Sequence, residues 1–194
     1  MTKLTSAALF TLALVSATAL SAQMPAAPAA SAAPKAASTG GKSPHETTSK
    51  KIDGNRVILV YGRPYSKDRP IWGGLVPYGK IWRTGSDEAT LLITQQSIVL
   101  GGSLEVPAGA YTLFTYLAPD GSAKLIVNKQ IGQWGIDPYN ENQELGRVDL
   151  EKATAGERIE QFTMSIDKGP ISGGRISMMW EKTIFSVPFA VKKP

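Results

Sequence analysis

The chain has 194 residues, no cysteine, a single histidine and a formal net charge of +5. Without cysteine it holds no disulfide, thiolate metal site, cysteine nucleophile or lipid-modified cysteine. Three of the 21 cations, Lys3, Lys35 and Lys42, precede Glu46, and all 16 acids lie at or beyond it, so the rest of the chain carries 18 cations against 16 anions; so near a balance argues against a nucleic-acid partner.

The N-terminus reads MTK, then LTSAALFTLALVSATAL without a charge, then small residues at Ala17, Ala19, Ser21 and Ala22. A basic start, a short apolar run and small residues predict a secretory signal peptide over residues 1–22, cleaved after Ala19 or Ala22. Threonine and serine dilute the run below what a membrane span needs. A periplasmic or secreted protein is expected, with no membrane anchor after cleavage. Residues 23–45, rich in Ala, Pro and Ser, lack the large apolar residues that would offset the entropy of ordering, and predict a disordered linker. His45 falls at its end, so the predicted domain, 46–191, has no histidine. That removes Ser-His-Asp chemistry, histidine-based zinc sites and the commonest general base.

Strands dominate the predicted domain. RVILVY (56–61) is β-branched and apolar; IWR forms a short strand after a long loop; ATLLITQQ (89–96) and SIVLGG (97–102) read as a pair or one bent strand. PAG (107–109) marks a turn. AYTLFTYLA then alternates Thr112, Phe114 and Tyr116 against Tyr111, Leu113 and Thr115, and PDGS (119–122) turns it back into KLIVN as a hairpin. YNENQELGRV (139–148) is the one short-helix candidate. ERIEQFTMSID (157–167) alternates with one apolar face, and GRISMMWEKT (174–183) and IFSVPFAV (184–191) complete the set, with Pro188 suited to an edge strand. Seven or more short strands between Gly, Pro and Asp turns predict an all-β fold, an antiparallel β-sandwich in a single domain.

Charge is unevenly spread. Residues 56–83 hold six cations and one anion, and residues 137–167 hold eight anions and three cations; these regions either face each other or form separate patches. There is no phosphate-binding glycine loop and no nucleophile elbow. DPYNENQE (137–144) lacks calcium-loop spacing. No cofactor and no metal site are expected.

The densest polar stretch runs from Tyr61: YGRPYSKDRPIWGGLVPYGKIWRTGSDEATLLI. A long loop inside a compact domain is often functional. Aromatic rings interleaved with cations suit a sugar ring, a carboxylate or a phosphate. The candidate ligand-binding residues are Arg63, Trp72, Tyr78, Lys80, Arg83 and Glu88. The competing reading is structural: Arg83 pairs with Glu88 as a brace, Lys80 is a solvated rim charge, and Trp72 tucks over the sandwich edge. Trp134 and Trp180 are expected in the core.

GRPYSKDRPIWGGLVPYGKIWRTGSDEAT, VPAGAYTLF, the 127–135 stretch and WEKTIFSVPF resemble the bacterial family catalogued as domain of unknown function 2911, over about residues 55–190. The resemblance implies exported proteins without an assigned activity and carries over no catalytic residue. Three functions remain: a binding module for a small polar or glycan-like ligand, which is favoured; a structural or protein-interaction domain; and a carboxylate hydrolase using Glu88 with Asp68 or Asp87. The hydrolase needs two carboxyls across one bond, and adjacent residues of a strand point to opposite faces.

Overall fold

The computed structural model describes residues 43–193; the predicted signal peptide and nearly all of the predicted linker lie outside them. Among the described residues the chain forms ten strands: β1 (His45–Ile52), β2 (Asn55–Gly62), β3 (Lys80–Trp82), β4 (Thr90–Thr94), β5 (Ile98–Leu100), β6 (Leu104–Val106), β7 (Gly109–Leu117), β8 (Ala123–Asn128), β9 (Glu144–Lys168) and β10 (Gly174–Val191). They join one antiparallel sheet in the order β1-β2-β4-β7-β8-β9-β10-β5-β6, with β3 paired on β7.

The sheet becomes a sandwich because β9 serves both layers. Its first residues, Glu144 to Leu150, pair with β8, and from Glu151 onward it pairs with β10. Between Thr154 and Ile159 β9 takes five steps while β10 takes two, from Thr183 to Glu181. A bulge of this kind bends a strand and raises its twist, and Glu181 takes the left-handed φ of 54° that the bulge requires. The two arms then face each other across the core. Tyr61 of β2 meets Phe162 of β9 edge-on at 5.9 Å, and Trp82 of β3 stacks on Trp180 of β10 at 6.1 Å. The Tyr61 hydroxyl donates to the Met164 carbonyl at 3.2 Å and accepts from the Met164 amide at 3.0 Å.

The predicted all-β sandwich and the β7–β8 hairpin are present. In the hairpin turn the Asp120 carboxylate accepts from the Ser122 hydroxyl (2.7 Å) and amide (2.9 Å), which holds its pKa below the usual carboxylate range. Other expectations change. β1 was not expected, because HETTSKKI buries only Ile52 and so shows no apolar alternation. Its lysines suit the edge strand it forms. The adjacent runs 89–96 and 97–102 part company: β4 joins β2 and β7, whereas β5 joins β10 and β6. Buried Asn55 pins the crossing, donating to Thr94 Oγ1 at 2.8 Å and accepting from the Gln96 amide at 2.9 Å. The helix candidate gives one 3-10 turn, Glu141–Gln143, and then strand. The segments on either side of residue 183 are one strand, and Pro188 is not on an edge. It falls where β10 changes partner, after its last β9 pair at Ser186 and before its first β5 pair at Phe189, so no ladder bond is lost.

Residues 129–143 cover the outer face of β7 and β8. Phe114 meets Tyr139 edge-on at 4.9 Å, Thr112 Oγ1 donates to the Gln130 carbonyl at 2.6 Å, and Asn128 Nδ2 donates to the Asn140 carbonyl at 2.9 Å. The far end is fastened by Glu144, which accepts from the Tyr139 hydroxyl and from Arg147. Burial raises the Glu144 pKa, but the Arg147 and Tyr139 hydrogen bonds outweigh it and leave the carboxyl below its ordinary 4.5. A depressed folded-state pKa stabilises the fold above the unfolded value and is lost as pH falls through the folded value. Glu144→Gln should therefore melt below wild type at pH 7, and the gap should begin to close as pH drops past 4.5. Thermal melts from pH 7 to pH 3 check this; a gap independent of pH refutes it.

Candidate functional site

The segment Arg83–Ala89 is extruded from what is almost a continuous strand. β3 and β4 lie along the same edge of β7, with Trp82 opposite Thr115 and Thr90 opposite Leu113. Seven residues thus loop out where β7 advances by only two, from Thr115 to Leu113. The loop is closed by the Thr90 amide donating to the Arg83 carbonyl at 3.2 Å and by Thr90 Oγ1 donating to the Thr84 carbonyl at 2.7 Å. Trp82 Nε1 donates to the Gly85 carbonyl at 3.2 Å. Thr84, with φ 57°, and Asp87, with φ 63°, both adopt left-handed backbone. That conformation is strained for a β-branched residue and survives only where the surroundings over-determine it. Here the restraint is burial and a 2.8 Å hydrogen bond between the Thr84 and Thr115 hydroxyls.

Gly62 makes room for the loop. A Cβ there would stand 2.2 Å from the Ser86 carbonyl oxygen and 2.5 Å from Ser86 Oγ. On the other side residues 133–135 run alongside: the Ala89 amide donates to the Gln133 carbonyl at 3.1 Å and the Gly135 amide to the Asp87 carbonyl at 2.9 Å. Gly135 also leaves space for Arg83, because a Cβ there would meet Arg83 Nη1 at 2.9 Å.

A cleft of about 420 Å³ opens beside the loop. Trp82 and Trp180 line its apolar part, Arg83, Ser86 and Asp87 contribute from the loop, and Tyr65, Lys67, Arg69 and Leu75 contribute from the segment after β2. Asp87 Oδ2 and Ser86 Oγ are both buried without a hydrogen-bond partner. Such orphaned polar atoms are uncommon and mark this turn as polar beyond what the fold needs.

The expected Arg83–Glu88 ion pair does not form. Arg83 Nη1 donates to the Asp87 carbonyl at 3.1 Å, and no carboxylate lies within salt-bridge distance of Arg83 among the described residues. Glu88 is exposed, and its Oε2 lies 2.7 Å from Nε2 of His45. His45 is the first residue of β1, so a histidine does belong to the folded strands. Arg83 is thus turned to the Asp87 carbonyl and the backbone of Gly135, while Glu88 is turned to the end of β1.

The other candidates separate. Arg63 stitches strands together: its guanidinium pairs with Glu46, donates through Nε to the Phe162 carbonyl at 3.1 Å and through Nη2 to Thr163 Oγ1 at 2.8 Å. Trp72 is half-buried and edge-on to Phe185 at 5.1 Å, Trp82 at 6.1 Å and Trp180 at 6.5 Å. It lines a second depression with Arg158 rather than the cleft. Tyr78 is exposed and lies over Gly73, where a Cβ would meet its ring at 2.3 Å. Lys80 is exposed on β3. Only Arg83 of the six lines the cleft. Trp180 is in the core as expected, but Trp134 is not: it is 56% exposed.

Tyr65, Lys67, Arg69 and Ser86 line the cleft but were not among the ligand-binding candidates, and Asp87 was a candidate only as a hydrolase carboxylate; all lie in the stretch the sequence singled out. The cation-rich and anion-rich regions do meet. Arg158 donates to Asp68 (2.9 Å), Glu181 (2.7 Å) and Ser66 (3.1 Å) and lies 3.0 Å from Glu160. Hydrogen bonds from Arg158 to Glu181, and from Ser66 to Glu160, hold both carboxyls below the usual glutamate range. This cluster is internally satisfied, which suits a brace between the loop and the β9 bulge. No group of three or more potential metal ligands occurs among the described residues.

The family model for proteins of unknown function named DUF2911 matches residues 43–189. The chain belongs to the DUF2911 family. The match spans all ten strands of this DUF2911 protein, from β1 into β10, and includes the extruded loop and its cleft. No curated protein and no solved structure gives a match.

Proposed function

We propose that this DUF2911 protein is an exported, non-catalytic binding module whose cleft takes a small polar, glycan-like ligand bearing an acidic group. The observation that carries the reading is the state of Arg83. Its guanidinium lines the cleft and spends a hydrogen bond on one carbonyl, with no carboxylate partner among the described residues. A guanidinium has five donors in a planar fork that matches a carboxylate or phosphate. Lys67 and Arg69 line the same cleft against a single carboxylate, Asp87, so its charge favours an anion. Tyr65 adds an exposed ring on which a sugar face can rest.

A two-carboxylate hydrolase is supported less well. Among the described residues the cleft is lined by one carboxylate, while Asp68 is engaged by Arg158 and Glu88 by His45. Export rests on the basic, apolar and small-residue pattern of residues 1–22.

The test uses protein recovered from the periplasmic or culture fraction, whose sequenced N-terminus should be Leu20 or Gln23. Calorimetric titration should show that glucuronate binds and that glucose binds more weakly. Arg83→Ala should abolish glucuronate binding while shifting Tm by no more than about 2 °C, because the change orphans no buried carboxylate. A fall of about 10 °C in this variant would make Arg83 a brace, and retained binding would sink the acid site.

A further inference from the structure

Seven large apolar side chains are exposed among the described residues, and six of them sit on two segments: Tyr65, Leu75 and Tyr78 on one, Ile131, Trp134 and Ile136 on the other. Both segments adjoin the extruded loop. Tyr65 and Leu75 line the cleft with Arg83, and residues 133–135 are hydrogen-bonded along Asp87 to Ala89. Exposed apolar residues scattered singly need no explanation, but their concentration around one polar centre does.

The 131–136 segment is held in place. Besides its backbone bonds to Asp87 and Ala89, Gln133 is buried and its Nε2 donates to the Pro138 carbonyl at 3.0 Å. On this braced support Ile131 (55%), Trp134 (56%) and Ile136 (46%) remain open to solvent. The link to the cleft is Gly135, which follows Trp134 directly and abuts Arg83 Nη1 where any larger residue would collide. Gly135, between Trp134 and Ile136 in the chain, therefore brings this exposed segment against the Arg83 guanidinium that lines the cleft.

We infer that the site continues past Arg83 onto the Ile131–Trp134–Ile136 ridge and that its ligand is an amphiphilic acid, a carboxylate or phosphate joined to an apolar or planar group. The inference rests on the reading of the cleft as an acid-binding site and narrows the ligand class. Charge complementarity places the acid, since Lys67, Arg69 and Arg83 line the cleft against the one carboxylate of Asp87. Continuity through Gly135 places the apolar part. An indole on a braced segment loses little side-chain freedom on binding and offers a large stacking face. A fully hydroxylated sugar would leave the two isoleucines without complementary surface.

The test compares three probes on the mature protein by calorimetry: 2-naphthoate, glucuronate and the uncharged 2-naphthalenemethanol. In wild type, 2-naphthoate should bind at least tenfold more tightly than either other probe. Trp134→Ala should reduce naphthoate to the affinity of glucuronate and leave glucuronate unchanged, and Trp134→Phe should recover most of the loss. Arg83→Ala should weaken both acids. If naphthoate and glucuronate bind equally in wild type, or if Trp134→Ala leaves their ratio intact, the extension onto the ridge is wrong while the cleft reading stands. If neither acid binds, or Arg83→Ala affects neither, the cleft reading fails and takes the extension with it.

Discussion

Trp180→Ala should lower Tm by roughly 10 °C or more, whereas Trp134→Ala should leave it within about 2 °C of wild type. Trp180 has no solvent exposure and stands at the centre of the aromatic cluster that joins the two layers. It stacks on Trp82 at 6.1 Å, meets Phe162 at 5.6 Å and Trp72 at 6.5 Å, and donates through Nε1 to the Glu160 carbonyl at 3.2 Å. Truncating a tryptophan so placed removes its transfer free energy and leaves a cavity the neighbours fill only in part, a loss of about 3–5 kcal/mol. It also removes the donor from a carbonyl in β9. For a domain of this size each kcal/mol corresponds to about 2–4 °C. Trp134 makes no comparable contact, so its removal touches surface alone. Melting both variants beside wild type decides the matter; a small shift for Trp180→Ala would mean that the two arms of the sheet are not joined through this cluster.

Gly62→Ala is a single-carbon change expected to damage fold and site together. The φ of Gly62 is not left-handed, so the conflict is one of space. The added Cβ would stand 2.2 Å from the Ser86 carbonyl oxygen and 3.0 Å from its carbonyl carbon, and these are backbone atoms that move only if the loop moves. The loop has little freedom, because Thr84 and Asp87 already occupy strained φ values and the Thr84 and Thr90 hydroxyls tie it to the sheet. Overpacking of this kind costs about 1–3 kcal/mol and occasionally more, so Tm should fall by about 2–12 °C. The same displacement should reach Arg83 and Asp87, so ligand affinity should fall along with stability. Ser86→Ala in the Gly62→Ala background removes the Oγ conflict but not the carbonyl conflict, and should recover only a minor part. Amide shifts of Gly85 to Ala89 report the displacement directly; unchanged shifts with an unchanged melt would refute the close approach.

The two changes separate what holds the fold from what shapes the site. The tryptophan cluster binds layer to layer, and Trp82 and Trp180 of it lie beneath the apolar side of the cleft. The glycine contact fixes how the extruded loop lies over that lining. Arg83, by contrast, contributes little to either, which is the reason its removal is expected to be felt in binding rather than in melting.

The sequence by itself determined the all-β class, the β7–β8 hairpin, a strand at 56–61, the apolar face of the 157–167 stretch, and membership of the family. These rest on local rules: alternation with period two assigns faces, and Pro-Asp-Gly-Ser at a break between apolar runs assigns a turn. It also located the segment that carries the cleft, because aromatic, cationic and glycine residues are concentrated there. What only the tertiary structure decided is which side chain stands opposite which. His45 reaches Glu88 across 43 residues, Arg158 reaches Asp68 across 90, and Arg63 reaches Thr163 across 100. No local pattern encodes such pairings; the first arises because β1 and β4 both flank β2, and the other two when β9 bends at its bulge and folds one arm of the sheet onto the other. The Arg83–Glu88 pair failed for the same reason: closeness in the chain suggested it, whereas the fold gives Arg83 the Asp87 carbonyl and Glu88 the distant His45. Trp134 was misplaced because hydrophobicity argues for burial only when a partner surface exists, and the 131–136 segment faces solvent.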